Sequence, residues 1–331
     1  MIVPLATLRS RRRPACHGAG LLVLALTVAA GACGGKTEEE AAPARDATGA
    51  AAVTDAAMPP GSDIWLGELA REGDSLVARG LHNVTARPGY DNQPAFAPDG
   101  RAFLYTADDS AGRTDTWRYD LATDRSVRVT TTDPESEYSP TPLPGGEGFS
   151  AVRVEADSAQ RLWRFGWNGG DPHVLFPQVA PVGYHAWAGE EWVVMFVLGD
   201  PPTLQVAGGE TLDVRQIASN VGRSIQSLPG TDGVSFVQLG DSVDGGSRIM
   251  RWSGSGGVTP IAPALDGGDF HAWTPAGTLL MGSGNEIRAW RRDDDTWRTV
   301  GRVPEGGTVT RLAVSPDGSR IAVVVEAPGE G

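Results

Sequence analysis

The sequence predicts an all-β fold: a six-bladed β-propeller with one blade shared between the N- and C-terminal strands. Three observations carry this. A Pro-x-Gly turn recurs along the chain, a Trp-rich strand recurs between the turns, and the two series are out of phase at the ends.

The clearest unit covers residues 91–130. It opens Gln93-Pro94-Ala95-Phe96-Ala97-Pro98-Asp99-Gly100, then Ala102-Phe103-Leu104-Tyr105-Thr106. An Asp/Gly loop at 108–112 follows, then Thr116-Trp117-Arg118-Tyr119-Asp120-Leu121 and Ser126-Val127-Arg128-Val129-Thr130. These are four short strands separated by turn chemistry. The turn returns as Pro144-Gly145-Gly146, Pro229-Gly230, Pro275-Ala276-Gly277 and Pro316-Asp317-Gly318, with a degenerate copy at Ala188-Gly189. The spacing is roughly 40 to 46 residues, the length of a four-stranded blade.

A second strand follows each turn, at 149–154, 192–198, 234–239, 278–282 and 320–325. Third strands are expected at 64–69, 116–121, 162–167, 204–208, 249–252 and 287–290. Six turn-bearing first strands and six third strands result, yet the repeats start on a third strand and stop on a second. A closed ring accounts for this, because inner strands from the C-terminal end and outer strands from the N-terminal end complete one blade without an exposed edge.

The opening 61 residues read differently. Residues 1–32 have the form of a lipoprotein signal peptide: Arg9, Arg11, Arg12 and Arg13, then an apolar run at 20–30, then Ala30-Gly31-Ala32 directly before Cys33. The run is too short for a membrane helix, which needs about 20 residues. Cys33 is the expected lipidation site, with an ordinary secretory cleavage near Ala32 as the alternative. Residues 33–61 are rich in Ala, Glu, Thr and Pro and lack large apolar side chains, the composition of a flexible, lipid-anchored linker. The propeller is expected over 62–328, exported to the cell envelope. Cys16 and Cys33 are the two cysteines of the chain, so no disulfide framework is expected in the body.

Charge limits the partners. Of 28 basic residues, four lie in the leader, which leaves 24 against 41 acidic ones. Such a body repels phosphate backbones, so no nucleic-acid partner is expected.

The segments Ala95-Phe96-Ala97-Pro98-Asp99-Gly100, Asp115-Thr116-Trp117 and Ala313-Val314-Ser315-Pro316-Asp317-Gly318 resemble the WD40-like propeller repeats of the TolB family. The resemblance spans residues 62–327, strongest in the first and last units. It specifies fold well and function poorly, because the motif is turn and core chemistry. Similar repeats form the propeller of prolyl-oligopeptidase-type enzymes, but no Gly-x-Ser-x-Gly elbow occurs here, and no hydrolase domain is expected.

Candidate binding residues sit on the predicted innermost strands, which line a propeller's channel. Tyr184-His185-Ala186-Trp187 and Phe270-His271-Ala272-Trp273 are matching segments of two non-adjacent blades, aligned with Pro94, Pro140, Ile225 and Leu312. One reading makes His185 and His271, with Gln93, Tyr138, Arg223 and Arg311, a polar funnel at the channel mouth. The other makes both histidines blade-packing groups, with Trp187 and Trp273 as core. No metal, cofactor or catalytic residue is expected. The sequence favours a monomeric scaffold binding a protein or peptide in the envelope; the alternative is a lactonase- or lyase-like enzyme working in the channel.

Overall fold

The computed structural model describes residues 61–326, apart from residue 110, residues 209–212, residues 241–244 and residue 255. The leader, Cys33 and the spacer lie outside the described residues.

Among the described residues, twenty-four strands form six four-stranded antiparallel sheets. The chain begins with β1 (Ser62–Glu72) and β2 (Ser75–Asn83). The first complete blade is β3 (Asp91–Phe96), β4 (Ala102–Asp108), β5 (Thr114–Asp120) and β6 (Arg125–Arg128). The second is β7 (Ser136–Pro142), β8 (Phe149–Val154), β9 (Gln160–Phe165) and β10 (His173–Leu175). The third is β11 (Val182–Ala188), β12 (Trp192–Val197), β13 (Thr203–Gly208) and β14 (Asp213–Ser219). The fourth is β15 (Val221–Ser227), β16 (Gly233–Gln238), β17 (Arg248–Ser253) and β18 (Gly256–Pro263). The fifth is β19 (His271–Trp273), β20 (Leu279–Ser283), β21 (Glu286–Arg291) and β22 (Thr296–Arg302).

The last two strands, β23 (Thr308–Val314) and β24 (Arg320–Glu326), pair with each other, and β24 pairs with β1 from Ser62↔Glu326 to Glu68↔Arg320. Strand order in this sixth blade is β2-β1-β24-β23, so the ends of the repeat region close the ring as expected. The innermost strands β3, β7, β11, β15, β19 and β23 contact one another in succession, and β23 returns to β3.

Burial explains the sequence pattern. Second strands are covered on both faces by neighbouring blades, so they read as nearly continuous apolar runs: Trp192–Val197 is WVVMFV and Arg320–Glu326 contains IAVVV. The outer strand β6 is exposed throughout and carries Arg125, Ser126 and Arg128. Six hydrophobic clusters are found among the described residues, one at each blade–blade interface. The tryptophans of the third strands belong to this packing. Trp252 is buried between the third and fourth blades, with its ring centre 6.5 Å from that of Trp192.

The interface between the first and second blades is partly ionic. Glu137, fully buried, accepts hydrogen bonds from Arg153 Nε at 2.9 Å and Thr130 Oγ1 at 3.0 Å. The Arg153 guanidinium also lies 4.5 Å from the Trp163 ring centre.

Candidate functional site

The innermost strands do not run straight past the channel. Five of the six break register just before the aligned Pro/His column, between Asn92/Ala95, Tyr138/Thr141, Val182/Tyr184, Val221/Ile225 and Val309/Arg311. Gln93 and Ser139 adopt φ of +59° and +54° at these bulges. A bulge re-aims the side chains beside it. Here it brings the residue preceding the column to the channel at Gln93, Ser139, Tyr184, Ser224 and Arg311, and Phe270, just ahead of the unbulged β19, joins them.

Those residues border a cavity of about 520 Å³ that draws on all six innermost strands and reaches the turn residues Pro229, Pro275 and Pro316. Arg223 and Arg311 line it, and among the described residues no Asp or Glu does. The Arg311 guanidinium lies 3.6 Å from the ring centre of Phe270 and 4.9 Å from that of Tyr184. Its Nη2 donates to the Tyr184 hydroxyl at 3.1 Å. Among the described residues no carboxylate forms an ion pair with Arg311 or Arg223. Glu326 senses Arg311: burial raises its carboxyl above the usual range, and Arg311 opposes that shift.

The two histidines do the same structural job twice. Ser235 Oγ receives Trp273 Nε1 at 2.8 Å and lies 2.7 Å from His271 Nε2, with its own proton directed at the Gln226 carbonyl. Tryptophan can only donate, so the remaining lone pair of Ser235 takes the His271 Nε2–H. Nδ1 of His271 then accepts from Ser224 Oγ at 2.9 Å. Two blades earlier, Ser150 Oγ is 2.7 Å from His185 Nε2 and receives Trp187 Nε1 at 3.0 Å. Each His-Ala-Trp segment thus clamps a serine of the preceding blade. Burial lowers both imidazoles to about 3, which keeps them neutral.

The two clamps differ in one bond. His185 Nδ1 is buried without a hydrogen-bond partner, and so is Ser139 Oγ, the counterpart of Ser224. The bulge at Ser139 explains the difference. Its N–H is drawn to Gln93 Oε1 at 2.6 Å, and Gln93 Oε1 also accepts from Thr106 Oγ1 at 2.7 Å.

The expected funnel is therefore regrouped. Gln93, His185, Arg223 and Arg311 border the cavity. His271 has no exposed surface and does not line it; Tyr138 packs against the cluster between the second and third blades. Sequence reasoning had not assigned site roles to Tyr184, Phe270 and Ser139. Their signal was the column one residue before the histidines, where Arg311 and Gln93 already stood.

No family model and no curated protein matches this sequence. Solved structures do match. A TolB-like protein of Agrobacterium tumefaciens superposes with a TM-score of 0.64 at 17% identity, over 82% of this chain and 99% of that one. TolB of Acinetobacter baumannii gives 0.54 at 12%, over 80% of this chain and 64% of that one. A gluconolactonase of Xanthomonas campestris gives 0.55 at 11%, over 81% and 99%. The fold is that of the TolB-like six-bladed β-propellers. Identity this low establishes architecture and leaves function to the site.

Proposed function

We propose that this protein is a lipid-anchored, extracytoplasmic binding scaffold, monomeric and non-catalytic, that receives a protein or peptide in its channel cavity. Cys33 would carry the lipid, and residues 34–61 would hold the propeller off the membrane. The observation that carries the reading is the cavity itself. Proline, aromatic and aliphatic residues alternate in its wall with polar ones, among them Gln93, His185, Gln226 and the two arginines. Binding sites commonly combine those features. Among the described residues, no three His, Cys, Asp or Glu side chains cluster as metal ligands would.

The competing reading, an enzyme in the channel, draws on the fold shared with the gluconolactonase. It needs converging carboxylates or a histidine pair. Among the described residues the cavity offers no carboxylate and one of the two histidines.

A photo-crosslinking residue placed at Pro229, beside the cavity, tests the proposal in intact envelopes against the same residue placed at Val127. Val127 is 53% exposed on an outer strand. A discrete crosslinked partner at Pro229 alone is expected. Identical products from both positions would overturn it, as would turnover of sugar lactones that is lost in His185→Ala.

A further inference from the structure

We infer that the channel cavity recognises a carboxylate, so that the occupant is an acidic peptide segment, anchored by Arg311 with Arg223 beside it. This rests on the peptide-binding reading and narrows it.

The charge distribution is the first support. The chain carries 41 acidic residues against 28 basic, yet among the described residues no Asp or Glu lines the cavity, while two arginines do. Here Arg311 offers five N–H donors and spends one of them, on the Tyr184 hydroxyl. The acid that senses it, Glu326, stands outside ion-pair distance.

Preorganisation is the second. Phe270 and Tyr184 hold the guanidinium in place, with its carbon 3.6 Å and 4.9 Å from their ring centres and one N–H on the Tyr184 hydroxyl, which leaves its other N–H groups to bind. That geometry suits the two oxygens of a carboxylate. Holding the side chain in advance also reduces the rotamer entropy lost when a ligand arrives.

The third support is independent of the arginines. His185, 5% exposed and bordering the cavity, keeps a buried acceptor nitrogen with no partner. Ser139 Oγ is buried and unpartnered in the same lining. One is an acceptor and the other can donate, the complement of a peptide's N–H and C=O. His271 and Ser224 satisfy the equivalent groups internally, which marks the His185 side as the one left for a ligand. The five prolines of the lining and the rings of Phe96, Phe270 and Trp273 suit the side chains of a peptide, and the oligouronate arm of the test separates that occupant from an anionic sugar.

The test uses the full-length protein in detergent and fluorescein-labelled hexapeptides, in pairs differing only by Glu for Gln, or by a free against an amidated C-terminus. Binding is read by anisotropy. The acidic member of a pair should bind at least 10-fold tighter. That preference should collapse in Arg311→Gln and weaken in the exposed Arg223→Gln, whose folding is not at issue. Both effects should shrink as salt is raised. Equal binding of Glu and Gln peptides by the unmodified protein would overturn the carboxylate assignment, even while a discrete crosslink at Pro229 upheld peptide binding. Tight binding of an oligouronate with no binding of acidic peptides would overturn it as well. Absence of binding by any peptide, together with no discrete crosslink, would overturn both readings.

Discussion

The guanidinium carbon of Arg311 lies 3.6 Å from the centre of the Phe270 ring, although the two residues belong to different blades. The cation–π contact stabilises the charge, by about 0.5–2 kcal/mol in general. It has no carboxylate to offset the cost of removing a guanidinium from water.

Arg311 should therefore contribute little to folding. Arg311→Met, which keeps the stem and loses the charge, is expected to change unfolding free energy by less than about 1 kcal/mol in either direction. Urea denaturation checks this. A loss of several kcal/mol would mean that Arg311 is a structural ion and would weaken its assignment to a ligand.

The serine clamps should behave oppositely. Ser235→Ala removes the acceptor for both His271 Nε2–H and Trp273 Nε1–H. Each donor then stays buried and unpaired, at about 1–3 kcal/mol apiece. The same change at Ser150 strands His185 and Trp187. Both variants should unfold at clearly lower urea, and a double-mutant cycle of Ser235→Ala with His271→Leu should show strong coupling.

These clamps also mark how far the sequence could be read. The blade count, the second strands and the shared blade were legible because each follows from a local pattern: a turn of fixed chemistry, then a run buried on both faces. The repeated His-Ala-Trp segment was legible as a pair of equivalent positions. Its partners were not. Ser150 and Ser235 lie 35 and 36 residues away, on the neighbouring blade, and nothing in either segment selects one serine from many. The regrouping of the funnel has the same origin. Register breaks at Asn92/Ala95 and Val309/Arg311 decide which residue of each innermost strand meets the channel, and a bulge between non-glycine residues leaves little trace in composition.

The buried imidazoles predict a pH dependence. Their folded values stand near 3, below the unfolded value near 6.5. Between those limits the unfolded chain takes up protons that the folded protein refuses, so stability is present above pH 6.5 and is lost as pH falls. Each histidine contributes a slope of up to about 1.4 kcal/mol per pH unit. Asp91 acts the other way: burial raises its carboxyl to about 6 despite Arg87, so its contribution is present below the unfolded value near 4 and is lost as pH rises through 6. Comparing the protein with His271→Leu isolates the histidine. The stability gap between them should narrow steadily from pH 7 to pH 4 in urea titrations. A gap independent of pH would show that His271 is not buried as a neutral ring.

Two glycines in one turn separate backbone strain from ordinary tolerance. At Gly148, φ is +142°, and a Cβ would stand 2.0 Å from the Phe165 carbonyl oxygen. That oxygen belongs to β9, packed beside the buried β8, so neither the side chain nor the strand can yield cheaply. Gly148→Ala should cost about 3 kcal/mol or more, through strain and lost pairing combined. At Gly145, three residues earlier, no heavy atom lies within 4 Å of an added Cβ, and φ is not in the positive region. Gly145→Ala should be neutral or stabilise by about 0.4–1 kcal/mol, because it restricts the unfolded chain without burdening the folded one. Thermal unfolding of the two variants should therefore shift in different directions or differ by many degrees. Similar losses at both sites would mean that this turn is held by contacts other than the Gly148 approach to Phe165.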